Sequence, residues 1–260
     1  MIQHVQSQNP HKSSQPSKST NDEDKQQYIQ RQWKNTNPAF PTGPSRFLIV
    51  GLSNTGKTTL GVRIAKQMLN NENDPHHHLV IISPNYQRDD KLLALAEWAD
   101  QHGIKVRVYT SFDKPTMQLF LNFMDDLALH KVRTLVYVDD PVGTPTFTTN
   151  VNQKSPWNSF VTSTKHYKSD IVFSTQAAGS LSKSARMNFD VFVYLPDMTN
   201  REELFKLCRF VSTMGQFDRM MDAYASEPYC ALWINIQFGR KGVYCINENG
   251  TISSISEVPR

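Results

Sequence analysis

The residues whose types and spacing most clearly suit chemistry are Gly51, Leu52, Ser53, Asn54, Thr55, Gly56, Lys57, Thr58 and Thr59, which read GLSNTGKTT. They fit the G-x-x-x-x-G-K-[ST] phosphate loop. Glycine is needed at 51 and 56 because the backbone turns tightly there and its amides must approach phosphate oxygens with no Cβ in the way. Lys57 suits the β- and γ-phosphates of a bound nucleotide, and the Thr58 hydroxyl suits Mg²⁺. A second group, Asp139 and Asp140, closes the run TLVYVDD at 134–140. Asp139 is the candidate to face Thr58 across the Mg²⁺ ion, and Asp140 to orient or deprotonate an attacking water. Gln176, at the end of DIVFSTQ, can hydrogen-bond the γ-phosphate or that water. The combination predicts ATP and Mg²⁺ as ligands, with Lys57, Asp140 and Gln176 in catalytic roles.

Such residues work only if the chain places them at one edge. Residues 46–50 form a β-branched and aromatic run fit for a buried parallel strand, and Leu60, Ile64, Ala65, Met68 and Leu69 recur at helical spacing just after the loop. Further strands are predicted at 79–83, 104–109, 134–140, 170–176 and 189–195, with closing strands at 229–236 and 242–246. Helices are predicted around 92–98, 117–129, 204–211 and 217–224. Alternation of strand and helix with short connections predicts an α/β fold, a mostly parallel central sheet with helices on both faces. In such sheets ligands bind beyond the carboxyl ends of the strands, where the loop, the two aspartates and the glutamine all fall.

Residues 1–45 are mostly Gln, Ser, Asn, Lys and Pro, and read as a disordered polar tail before a domain at 46–260, with Pro38, Pro41 and Pro44 marking the boundary. The formal net charge is +4, of which the tail carries +2. The domain is therefore too weakly basic to bind nucleic acid over its whole surface, and any grip must be local. No apolar run is long enough to span a membrane. Cys208, Cys230 and Cys245 are widely separated without a C-x-x-C pair, as expected of reduced thiols in an intracellular protein. His76, His77 and His78 are adjacent, which suits a solvated loop better than a metal site.

Directly after the aspartates, the stretch 141–169 holds Lys154, Lys165, His166 and Lys168 and no carboxylate. Its first half lacks periodicity, as working loops do. It is the candidate for sequence-independent contact with the DNA backbone, through Lys154, with Trp157 or Phe160 as anchor.

The order of GLSNTGKTT, IISPNYQRDD, VYVDD, KHYKSDIVFSTQ and SKSARMNFDVFVYL resembles the poxvirus-type genome-packaging ATPases of double-stranded DNA viruses and virophages, within the FtsK–HerA superfamily. The resemblance covers roughly 47–236 and implies a P-loop NTPase fold of the ASCE type. It implies an ATPase that translocates double-stranded DNA into a preformed capsid. It further implies a ring-shaped homo-oligomer, a capsid or portal-vertex partner, and a place at virus assembly sites in the host cytoplasm or nucleus, or in the virion. Lys165 and His166 stand where the family has an arginine–histidine pair. Arg186 matches a family arginine just past the glutamine strand, and is the first choice for a finger reaching a neighbouring subunit's γ-phosphate; Arg201 is the second. Two other readings remain. A nucleotide kinase or phosphotransferase would need an arginine-rich lid, and no arginine cluster follows Asp140; an ATP-binding assembly protein without translocase activity would bind nucleotide as a switch.

Overall fold

The computed structural model describes residues 44–257 apart from 73, 142–155, 177–180, 196–200, 209–212, 226–229, 237–239 and 247–251. The tail up to residue 43, Lys154 and the loop around it lie outside the described residues.

Each predicted strand forms, with ends shifted by at most two residues. β1 is Arg46–Val50, β2 His78–Ile82, β3 Lys105–Tyr109, β4 Thr134–Asp139, β5 Ser169–Thr175 and β6 Val191–Tyr194. β7 (Cys230–Asn235) and β8 (Arg240–Ile246) close the sheet as expected, and β9 (Ile252–Glu257) extends it. The spatial order is β3-β2-β4-β5-β1-β6-β7-β8-β9. The first six strands pair parallel, and β7, β8 and β9 add an antiparallel meander. The continuous apolar runs of β1, β2 and β4 follow from this topology, since a parallel strand covered on both faces has no solvated side.

The phosphate-loop helix α1 is Lys57–Leu69, and α2 is Asp90–Gln101. Leu60, Ile64, Ala65 and Met68 of α1 and Leu92, Leu95 and Ala99 of α2 are buried at helical spacing, and the two helices pack together on one face of the sheet. On the other face lie α3 (Lys114–Leu129), α4 (Pro156–Thr162) and the short α5 (Lys183–Arg186). α6 (Arg201–Cys208) and α7 (Met214–Ala225) follow, with Phe217 and Met221 of α7 joining that second layer. Phe120, Trp157, Phe160 and Phe173 make an edge-to-face and tilted cluster with ring centroids 5.0–5.7 Å apart. Such pairs contribute about 0.5–1.5 kcal/mol each beyond their burial. Trp157 and Phe160 thus anchor the chain after the loop, as expected, but through the helix α4 packed into the core.

That helix also corrects one expectation. α4 carries the chain back to the edge where β5 begins, and the Lys168 carbonyl accepts the Thr134 amide at the start of β4. Lys165, His166 and Lys168 are exposed at this amino-terminal edge, a strand's length from the aspartates they follow in sequence. A second correction concerns His76, expected in a solvated loop. It is 4% exposed, with its Nε2 2.7 Å from Asp170 Oδ2. Adjacency in sequence concealed that only His77 and His78 remain near the surface while His76 turns inward to a buried carboxylate.

Candidate nucleotide-binding site

The loop between β1 and α1 is built by its glycines. A Cβ on Gly51 would lie 2.6 Å from Thr55 Oγ1 and 2.9 Å from Leu195 Cβ, too close for any side chain. Gly56 has φ +93° and Asn54 φ 63°, both in the left-handed region that glycine and asparagine enter most cheaply. Gly56 caps α1 without offering a side-chain acceptor, and no acidic residue stands in the first turn. By contrast, α2 and α3 are capped by the carboxylates of Asp89 and Asp113. The start of α1 therefore keeps its amides and its positive dipole end for an anion from outside the chain. Lys57, 6% exposed, folds into the loop and donates from Nζ to the Leu52 carbonyl at 2.9 Å.

The parallel register brings the second group to the same edge. Asp139 is the partner of Ser174, and the Gly51 amide donates to the Thr175 carbonyl. Thr58 Oγ1 lies 3.3 and 3.2 Å from Asp139 Oδ1 and Oδ2. A threonine hydroxyl and a carboxylate are hard oxygen donors of the kind Mg²⁺ takes, and the two side chains stand close enough together that both would hold the same ion. Asp139 is nearly buried, and burial pushes its carboxyl above the ordinary range, with the charge of Asp140 adding to the rise. Hydrogen bonds from Ser174, Tyr137 and Thr58 oppose the shift. Among the described residues neither aspartate is in an ion pair, so a bound cation would relieve the cost of the buried charge.

Asp140 has φ 42°, an uncommon conformation for a residue that is not glycine, and its amide donates to the Ser174 carbonyl at 3.0 Å. Gln176 Nε2 donates to Asp140 Oδ2 at 2.6 Å, so the glutamine positions the second carboxylate directly. Holding an aspartate there costs about 1–3 kcal/mol, and such strain gathers at functional positions.

Gly51 through Thr59, Asp139, Asp140 and Gln176 are thus brought together. The backbone of Arg186 lies toward the edge opposite the loop of its own chain. Its carbonyl accepts the Phe189 amide, and the Asp190 amide donates to the Arg46 carbonyl at the opposite edge. Arg201 is occupied, with Nη2 2.7 Å from Asp222 and Nη1 3.8 Å from Asp218. Three contributors were not anticipated: Tyr137 and Ser174, which donate to Asp139 Oδ1 at 3.1 and 2.5 Å, and Gly61, against which Tyr137 packs. Strand alternation could have found Tyr137, since residues 137 and 139 share a face.

Fold and site define a P-loop NTPase in which an additional strand, β5, separates the loop strand β1 from the aspartate strand β4. The same fold is found in viral genome-packaging NTPases. The NTPase B204 of Sulfolobus turreted icosahedral virus 2, solved with ATP-gammaS, superimposes with a TM-score of 0.54 at 14% identity, over 80% of this chain and 98% of that one. The complex of that protein with AMPPCP gives 0.55 at 12% identity, over 84% and 99%. B204 of Sulfolobus turreted icosahedral virus, described as a DNA-packaging ATPase, gives 0.55 at 13%, over 78% and 98%. No protein-family model and no curated protein sequence matches the chain.

Proposed function

We propose that the chain is an Mg²⁺-dependent ATPase that drives double-stranded DNA into a viral capsid. The observation that carries this is one edge on which a phosphate loop, the Thr58–Asp139 pair at 3.2 Å and the Asp140–Gln176 pair at 2.6 Å converge, in a fold shared with packaging NTPases. Mg²⁺ between Thr58 and Asp139 would offset charge on the β- and γ-phosphates. Lys57 exchanges the Leu52 carbonyl for phosphate oxygens, Asp140 accepts the proton of the attacking water, and Gln176 holds Asp140 for that task. Arg186, whose backbone lies toward the edge opposite its own loop, serves a neighbouring protomer as the finger, and this makes the working form a ring. Lys154 touches the DNA backbone without regard to base sequence, the capsid or portal vertex is the docking partner, and the site of action is the host cell's assembly zone or the virion.

ATP turnover with and without long duplex DNA tests the reading. Stimulation by DNA is expected, steeply weakened by salt. Dependence on a nucleoside monophosphate instead would make the protein a kinase, and negligible turnover in either mixture would make it an ATP-binding switch.

A further inference from the structure

Among the described residues, Tyr137 is the one phenol whose hydroxyl reaches Asp139, and its position is costly. The side chain is wholly buried, and its hydroxyl sits 3.1 Å from Asp139 Oδ1 and 3.5 Å from the Thr58 carbonyl. A phenol is protonated at neutral pH and a carboxylate oxygen only accepts, so the hydroxyl acts as a donor toward Asp139. With one proton and two acceptors, the shorter bond to Asp139 takes it.

The helix makes room for this ring. Gly61 lies on α1 one turn beyond Thr58, and a Cβ there would come within 2.8 and 2.9 Å of the Tyr137 ring carbons Cε2 and Cζ. Any larger residue would drive the phenol off. Gly61 is therefore required by close approach, although glycine in a helix interior costs up to about 1 kcal/mol relative to alanine.

The two oxygens of Asp139 are treated differently. Oδ1 accepts from Ser174 at 2.5 Å and from Tyr137 at 3.1 Å, both inside the protein, with Thr58 Oγ1 a further 3.3 Å contact. Oδ2 is met only by Thr58 among the described residues. Two fixed donors on one oxygen lock the rotation of the carboxylate and leave the other oxygen aimed at the metal position beside Thr58.

We infer that Tyr137 is a positioning residue for the metal-facing carboxylate, admitted by Gly61 and assisted by Ser174. The inference rests on the nucleotide reading above and adds residues to it that carry no direct contact with nucleotide. Partners of this kind, one shell behind a metal ligand, typically change metal affinity by about 10–100-fold when removed. The loss should fall on binding that depends on the metal and spare the contacts that the loop amides and Lys57 make with phosphate.

The test is equilibrium titration of a fluorescent ATP analogue into the full chain, once with Mg²⁺ and once with EDTA, for wild type, Tyr137→Phe, Ser174→Ala and Gly61→Ala. Tyr137→Phe should reduce the gain in affinity brought by Mg²⁺ by about tenfold or more, with metal-free affinity within about twofold of wild type. Gly61→Ala, which keeps the hydroxyl but displaces the ring, should show the same pattern, and Ser174→Ala should move in the same direction. An undiminished Mg²⁺ gain in Tyr137→Phe overturns the inference while leaving the nucleotide site intact. Equal losses with and without metal assign the residue to folding alone and overturn it too. If wild type itself binds no nucleotide in either buffer, the nucleotide reading fails first, and the pattern distinguishes that case from the other two.

Discussion

The two edges of the sheet treat buried charge in opposite ways. At the amino-terminal edge, Asp170 accepts from the Ser45 amide at 2.6 Å and hydroxyl at 3.1 Å, from His76 Nε2 at 2.7 Å and from Arg133 Nη2 at 2.6 Å. Arg133 also pairs with Asp74, and Arg46 grips Asp190 in a fork of 2.9 and 3.0 Å. At the carboxyl-terminal edge, Asp139 and Asp140 have hydroxyl and amide donors but no cation among the described residues, while Lys57 rests on a carbonyl. Left-handed backbone occurs at both edges, at Asn54 and Asp140 here and at Lys131 and Lys168 where β4 and β5 begin. One edge is electrostatically complete and holds β1, β4 and β5 in register. The other is left incomplete in a way that a polyphosphate and its cation would complete.

Breaking the complete edge should have the largest effect. Asp170→Ala removes the buried acceptor shared by Ser45, His76 and Arg133 and leaves Arg133 only its half-exposed partner Asp74, and a loss of about 3–5 kcal/mol is expected in denaturant unfolding. ATP with Mg²⁺ should not single out this variant for rescue. Lys57→Ala acts at the other edge, where stability should hardly change, but ATP turnover should fall by about 10²–10³-fold, as when one fixed donor to a developing charge is removed. A Lys57→Ala protein with full turnover would disconnect the loop from the chemistry.

Asp139→Asn sharpens the comparison through pH. Burial raises the Asp139 carboxyl in the native state, so the native protein holds its proton more tightly than the unfolded chain. Stability linked to this group is present at low pH and lost as pH rises through the raised range. Thermal melts without nucleotide should therefore show Asp139→Asn above wild type at neutral pH, with the gap closing on acidification, and without any Mg²⁺-dependent turnover. The smallest effect is expected at Asp113, which caps α3 at an exposed site. The Thr116 amide holds its carboxyl below the ordinary value, so the cap stabilises above the carboxylate range and fades as pH falls through it. Asp113→Ala should lower the melting point slightly at pH 7, converge with wild type in acid, and leave turnover alone.

Much of the site was legible because its chemistry is local. Gly51, Gly56, Lys57 and Thr58 sit within one turn-and-helix segment, so spacing alone specifies their geometry. Asp139 and Gln176 were legible because each ends a run of strand-forming residues, and parallel strands deliver their ends to one edge. Arg186 and Lys165 were harder, since the chain reverses through α4 and α5 between the glutamine strand and its neighbours. His76 was hidden because three adjacent histidines give no periodicity from which to tell the inward one.

What the sequence determined by itself was the order of strands and helices, the phosphate loop and the identity of its acidic partners, because these depend on short-range pattern and backbone sterics. What only the tertiary structure decided was which side chains stand behind them. Tyr137 meets Gly61 across 76 residues, and Ser174 meets Asp139 across 35, through the packing of α1 on the sheet and the β4–β5 register. Contacts of that kind depend on how layers pack in three dimensions, and no local propensity encodes which residues will meet.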